Sequence, residues 1–160
     1  MQWKEKKMQI DKELMMIGVD FKTKGEVLES MGARLHGLGY VTDDFIENVL
    51  DREENFPTGL PTSPCAVAIP HTDTDKVLES KIALAILKEP VSFSNMGDAS
   101  LEVDVKIVFM LAIEAPGEQV TTLQNLIEMV QDEGTVSKLA AVQSVDECSR
   151  VLGDFKAQKN

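Results

Sequence analysis

The amino-acid sequence predicts an α/β fold: a single domain over residues 1–155, a three-layer α/β/α sandwich with a central mixed β-sheet flanked by helices, and then a frayed tail over 156–160. Three observations carry that expectation. Helical periodicity comes first, then short apolar runs, then helical periodicity again, as when a sheet is enclosed between helical layers. The run 107–113 is continuously apolar, which suits a strand covered on both faces. And 160 residues, 43% of them hydrophobic, suffice for one proper core but not comfortably for two.

The elements follow in order. Residues 8–19 read as a weak strand with Ile10, Leu14 and Ile17 as its apolar positions. Thr23 is placed to cap a helix in which Val27, Leu28, Met31 and Leu35 share a face, and Gly37 and Gly39 end it. Thr42 can cap a second helix carrying Phe45, Ile46, Val49 and Leu50, which runs into the charged end DREEN. The segment FPTGLPTSP, 56–64, holds three prolines and a glycine and reads as a loop. Residues 66–69 form a short buried strand, 76–79 a short helix, and 81–87 and 101–113 two further strands. A helix over 117–131 groups Val120, Leu123, Ile127 and Val130, and two shorter helices follow over 136–142 and 145–152.

Charge and motifs exclude several function classes. Acidic residues outnumber basic ones 27 to 16, a formal charge of −11. That balance argues against nucleic-acid binding, which needs clustered Lys and Arg, and against an anionic membrane surface. It suits a cytoplasmic protein whose partners carry basic patches. The opening MQWKEKKMQIDKE has no long apolar stretch, and no run is long enough for direct membrane insertion. Cys65 and Cys148 offer neither a disulfide framework nor a CxxC pair. With two histidines and two cysteines far apart, no metal site is expected, and no cofactor motif is present.

What remains is CAVAIPHTDTDKV, residues 65–77. Pro70 has no N–H to give a ladder, so it ends the strand, and His71 is the first side chain past that rigid end. Strand ends in enclosed α/β sheets are where ligands meet positioned groups. Thr72, Asp73, Thr74 and Asp75 supply hydroxyl and backbone donors at the start of a short helix, where an anion is favoured. From this local context alone, His71 reads more readily as a hydrogen-bonded structural residue. His36 lies at a helix C-terminus, where an imidazolium interacts well with the macrodipole.

The string RE..FPTGL..SP.AVAIPHTDTDKV, from position 52 to 77, resembles the active-site region of the enzyme IIA domains of the phosphoenolpyruvate-dependent sugar phosphotransferase system (PTS). Within them it is similar to the type-2 fructose/mannitol superfamily and its galactitol-like branch. GYVTDDFIENVLDREE upstream and VSFSNMG, VDVKIVFMLAIEAP and LQNLIEMV downstream extend the likeness over about residues 24–152. R-E, P-T-G and I-P-H are specific in this order and spacing, and weak singly.

The resemblance implies a phosphocarrier. Members accept a phosphoryl group from the phosphohistidine of the carrier HPr. They pass it to a cysteine of a cognate IIB, which serves a membrane IIC; in a second possibility the output is regulatory, through docking to other proteins. A IIA domain touches proteins and never binds the sugar directly. The position matching the phosphorylated histidine is His71, and the matching arginine is Arg52. Many members carry a second active-site histidine where this chain has Gln119, a departure shared with galactitol-like members that counts against a second imidazole. Thr72 stands where many have glycine.

Elementary chemistry agrees with that implication. Phosphoryl transfer needs an in-line nucleophile and donors for the equatorial oxygens. A neutral imidazole is competent at neutral pH if its other nitrogen is held as a donor, by a carbonyl or a carboxylate. Arg52 offers a planar fork, while Gln119 and Thr72 offer neutral donors. The plain alternatives are Arg52 paired with Glu53 or Asp51, Thr58 shaping its loop, Gln119 as a first-turn helix residue, and Cys65 and Cys148 as core.

Overall fold

A computed structural model describes residues 10–159, with side chains to Phe155. Its centre is a five-stranded sheet in the order β1-β4-β5-β3-β2. The strands are Met15–Val19 (β1), Gly59–Leu60 (β2), Ala66–Ala68 (β3), Lys81–Ser94 (β4) and Glu102–Ala112 (β5). β1 runs parallel to β4 and β3 parallel to β5, whereas β4/β5 and β2/β3 are antiparallel, so the sheet is mixed. Five helices flank it: Lys24–Gly37 (α1), Phe45–Asn55 (α2), Pro116–Val130 (α3), Glu133–Ala141 (α4) and Val145–Lys159 (α5). In the central strands, Ile82 to Leu87 and Ile107 to Ile113 are all buried, so both sheet faces are covered and the α/β sandwich expected from the sequence is present.

α1 forms as its sequence dictates. The Thr23 hydroxyl accepts from the Glu26 N–H while the Glu26 carboxylate accepts from the Thr23 N–H, a complete capping box. Val27, Leu28, Met31 and Leu35 are all buried. Gly39, at φ +85°, turns the chain out of the helix in a conformation that favours glycine.

Several expectations need correction. The first strand starts at Met15, after a 3-10 turn Lys12–Leu14; its expected start at position 8 lies outside the described residues. Thr42 does not cap α2. Its N–H donates to the Lys76 carbonyl at 2.9 Å beside a Val41–Val77 bridge, and its hydroxyl donates to Asp44 at 2.6 Å, so the helix starts three residues later. The same bridge takes Val77 into extended backbone, which reduces the short helix at 76–79 to a 3-10 turn, Thr74–Lys76. β4 runs past Pro90 to Ser94 because Pro90 sits in a bulge between Ile86 and Val91 that needs no N–H from it. α3 buries Leu126, Met129 and Val130, and Val120 is 55% exposed rather than part of the core stripe. α4 starts at Glu133, and α5 continues past 152 to Lys159; the side chains of 156–160, the tail expected to fray, lie outside the described residues.

The segment 56–64 is not all loop. Gly59 and Leu60 pair with Ala68 and Val67. Gly59 is required for close approach: a Cβ there would lie 2.5 Å from the Ser94 carbonyl oxygen and 2.7 Å from Val103 Cγ2. The tip of the β4–β5 hairpin rests on this backbone, with the Met96 N–H donating to the Gly59 carbonyl at 2.7 Å.

Candidate functional site

β3 and β5 are parallel, so their C-terminal ends reach the same edge of the sheet. The residues after β3 therefore lie on the side of α3, which follows β5, and share a cavity with its Leu123. Pro70 continues the alignment without an N–H of its own: its carbonyl accepts from Leu111 N–H at 3.0 Å. His71 follows, lining a cavity of about 410 Å³ with Arg52, Phe56, Thr58, Met96 and Leu123 among its walls.

His71 Nδ1 lies 2.8 Å from the Ile69 carbonyl oxygen. A carbonyl only accepts, so Nδ1 carries the proton. In the neutral ring, Nε2 then keeps its lone pair. Burial, with the Arg52 charge adding to it, holds the ring's pKa below its ordinary 6.5, while the bond to Ile69 opposes the shift. The ring is thus neutral, and in one tautomer, at neutral pH.

Arg52 arrives from the last turn of α2. One Nη1 donates to Asp73 Oδ1 at 3.3 Å, and the guanidinium carbon lies 5.0 Å from the centroid of the Phe56 ring. Its Nε is buried with no partner among the described residues. The pairing with Glu53 or Asp51 weighed from sequence is not the one formed. Since the Asp73 side chain is largely exposed, this ion pair is weak and leaves most of the fork available.

The structure thus brings His71 and Arg52 together, and it places the other two candidates differently. Gln119 is one helical turn before Leu123 on α3, so the two share a face; Gln119 does not itself line the cavity. Its Oε1 is buried without a partner among the described residues. Thr72 is buried and is not a wall of the cavity. The anion-binding helix start expected at Thr72 to Asp75 is absent, since only a 3-10 turn forms there.

Sequence reasoning missed Asp73, Phe56 and, above all, Glu53. Glu53 is 2% exposed, and both its oxygens are taken by Thr58. Burial, opposed by the Thr58 bonds, raises its pKa from 4.5 to about 6. The available signal was its place in the R-E element beside Arg52. The second histidine is accounted for by its surroundings: exposed His36 meets Asp43 at 2.8 Å. Cys148 is buried, which pushes its thiol up to about 11, and Cys65 is half-buried. A larger, shallower groove between β1 and α1 is lined by Met16, Phe21, Ser30 and Arg34 and holds neither histidine nor cysteine. Among the described residues no helix is long and apolar enough to cross a membrane.

Comparison with known proteins bears on this site directly. The family model described as "Phosphoenolpyruvate-dependent sugar phosphotransferase system, EIIA 2" matches residues 8–154. The galactitol-specific EIIA component of the PTS of Escherichia coli (strain K12) is 31% identical over 122 residues, which are 76% of this chain and 81% of that one. The crystal structure of IIA mannitol from Escherichia coli superposes with a TM-score of 0.76 at 28% identity, covering 91% of this chain and 99% of that one. The same Escherichia coli mannitol domain, solved in complex with phosphorylated enzyme IIB, gives 0.75 at 27% identity over 91% and 98% of the two chains. With a family match over nearly all its length and a shared fold, the chain belongs to the EIIA 2 family of the phosphoenolpyruvate-dependent sugar phosphotransferase system and is a phosphotransferase component of that system.

Proposed function

We propose that this chain is a cytoplasmic phosphocarrier that holds the phosphoryl group on His71 Nε2, taking it from phospho-HPr and giving it to the cysteine of a cognate IIB. The observation that carries the reading is the Nδ1–H to Ile69 carbonyl bond, which leaves Nε2 as the nucleophile. The Nε2 lone pair attacks phosphorus while the N–P bond of the donor histidine breaks and its electron pair returns to the donor ring. The proton stays on Nδ1, hydrogen-bonded to the Ile69 carbonyl, so no external base is needed. Arg52 offers its unpartnered Nε–H and its fork to the equatorial oxygens. Gln119, one turn from Leu123, and Thr72 do not line the cavity and are secondary candidates as neutral donors. In the onward step the IIB thiolate attacks the same phosphorus and His71 leaves as a neutral imidazole.

Partner and branch follow the comparisons by analogy. The relative solved with phosphorylated IIB supports a IIB partner, and the galactitol-specific relative supports a galactitol-like polyol as the transported sugar. Exposed Phe56 and Met96 beside His71 suit a small, apolar-centred and short-lived protein contact.

The test is to incubate the chain with phosphoenolpyruvate, enzyme I and HPr and to follow an acid-labile phosphate. Wild type labels and His71→Ala does not; normal labelling of His71→Ala would sink the proposal. Labelled chain that discharges to a co-encoded IIB supports transport. Labelled chain that no IIB discharges supports a regulatory output instead.

A further inference from the structure

Glu53 is the buried charge that the transfer chemistry does not use. It points inward from the last turn of α2, while its neighbour Arg52 faces the cavity. Thr58 N–H donates to its Oε2 at 2.8 Å and the Thr58 hydroxyl to its Oε1 at 2.9 Å. An ionised carboxylate only accepts, so the direction of the second bond is fixed. The Thr58 hydroxyl must donate toward Glu53, and its lone pairs are left to accept from the far side. There they take the Ile69 N–H at 3.2 Å, the shorter branch of a bond it shares with the Thr58 carbonyl at 3.4 Å. Ile69 is the residue whose carbonyl holds the His71 Nδ1 proton.

We propose that Glu53 and Thr58 are positioning residues for His71, a buried relay that pins Ile69 so that its carbonyl stays in reach of Nδ1 and Nε2 stays the reactive nitrogen. The proposal rests on the reading of His71 as the phosphoryl acceptor. A purely structural account explains the burial poorly. Desolvating a carboxylate disfavours its charged form, and an apolar side chain would fill the same space without that penalty. What an apolar residue cannot do is orient the Thr58 hydroxyl. A neutral imidazole released from its acceptor is free to move its proton to Nε2, which removes the nucleophile. The same carboxylate also fixes Thr58 N–H, and so holds the cavity wall formed by Pro57 and Thr58.

The experiment uses the full chain, labelled with 15N. Long-range proton–nitrogen correlation of the His71 ring at pH 7.5 reads the tautomer, and phosphorylation by phospho-HPr reads the rate. Wild type shows a protonated Nδ1 and a bare Nε2. Thr58→Val, which keeps the N–H and loses the hydroxyl, and Glu53→Gln, which reverses the direction of the hydroxyl bond, each give a mixture of tautomers. Their maximal rates fall roughly tenfold to a hundredfold, with the KM for HPr unchanged. Thr58→Ser restores both readouts. If Thr58→Val does not fold, Glu53→Gln and the wild-type behaviour of Thr58→Ser carry the test. A folded Glu53→Gln or Thr58→Val protein that keeps the wild-type tautomer overturns the proposal, whatever its rate. Labelling of His71→Ala would instead overturn the reading of His71 as the acceptor and leave the tautomer result standing by itself.

Discussion

At the scale of single residues, the site holds a partly buried and a buried group that titrate in opposite senses. His71 has its pKa lowered, so the folded protein binds fewer protons there than the unfolded chain. Its contribution to stability is full above 6.5 and is lost as pH falls through the lowered value. Glu53 is raised from 4.5 to about 6, so its contribution is full below 4.5 and is lost as pH rises through about 6. Glu53→Gln removes the second effect. Relative to that variant, wild type loses about 1 kcal/mol between pH 5 and pH 7. Urea unfolding of both proteins at the two pH values checks this, and a constant difference would remove the basis for a shifted Glu53. The roles of these residues were unequally legible in the sequence. Pro70 announced His71 as a strand-end side chain, and the neighbouring R-E and P-T-G elements gave it a context. Glu53 sat inside DREEN, which reads as a solvated helix end, because periodicity alone does not say which of four charges turns inward.

At the scale of elements, local chemistry and tertiary pairing part company. α1 was legible because its cap, its apolar face and its closing glycines are all encoded within the helix. β2 was not, because two residues between prolines carry no periodicity, and only β3 and the β4–β5 hairpin make them a strand. Thr42 and the 76–79 turn failed for the same reason: their backbones are claimed by each other. The sharpest constraint of this kind is Gly59, which lets the hairpin approach. Gly59→Ala would set its Cβ 2.5 Å from a backbone oxygen that cannot rotate away. A loss of roughly 1–3 kcal/mol is expected, as for other overpacking substitutions. A urea midpoint like that of wild type would show that the hairpin can shift at no cost. The hairpin also supplies Met96 to the cavity wall, so the rate of labelling at His71 should fall with the stability.

At the scale of the whole molecule, the formal charge of −11 concerns encounters more than fold. Complementary charge raises association rates and is screened by salt, over a Debye length of about 10 Å at 0.1 M. Transfer from HPr should slow as sodium chloride rises from 20 to 300 mM, mainly through the association rate. A rate independent of ionic strength would assign docking to the apolar centre alone. The sheet order also decides when the site exists. The walls around His71 come from the end of α2, the turn after β3, the tip of the β4–β5 hairpin and the middle of α3, segments spread over some seventy residues of chain. Contacts between such distant segments form late, because loop closure must come before them. A growing chain cannot have a finished pocket until α3 has emerged and β5 has found its place between β4 and β3. On the proposed function, phosphate uptake would then report completed folding: a chain with its sheet still open would not accept phosphate, and only mature copies would enter the relay.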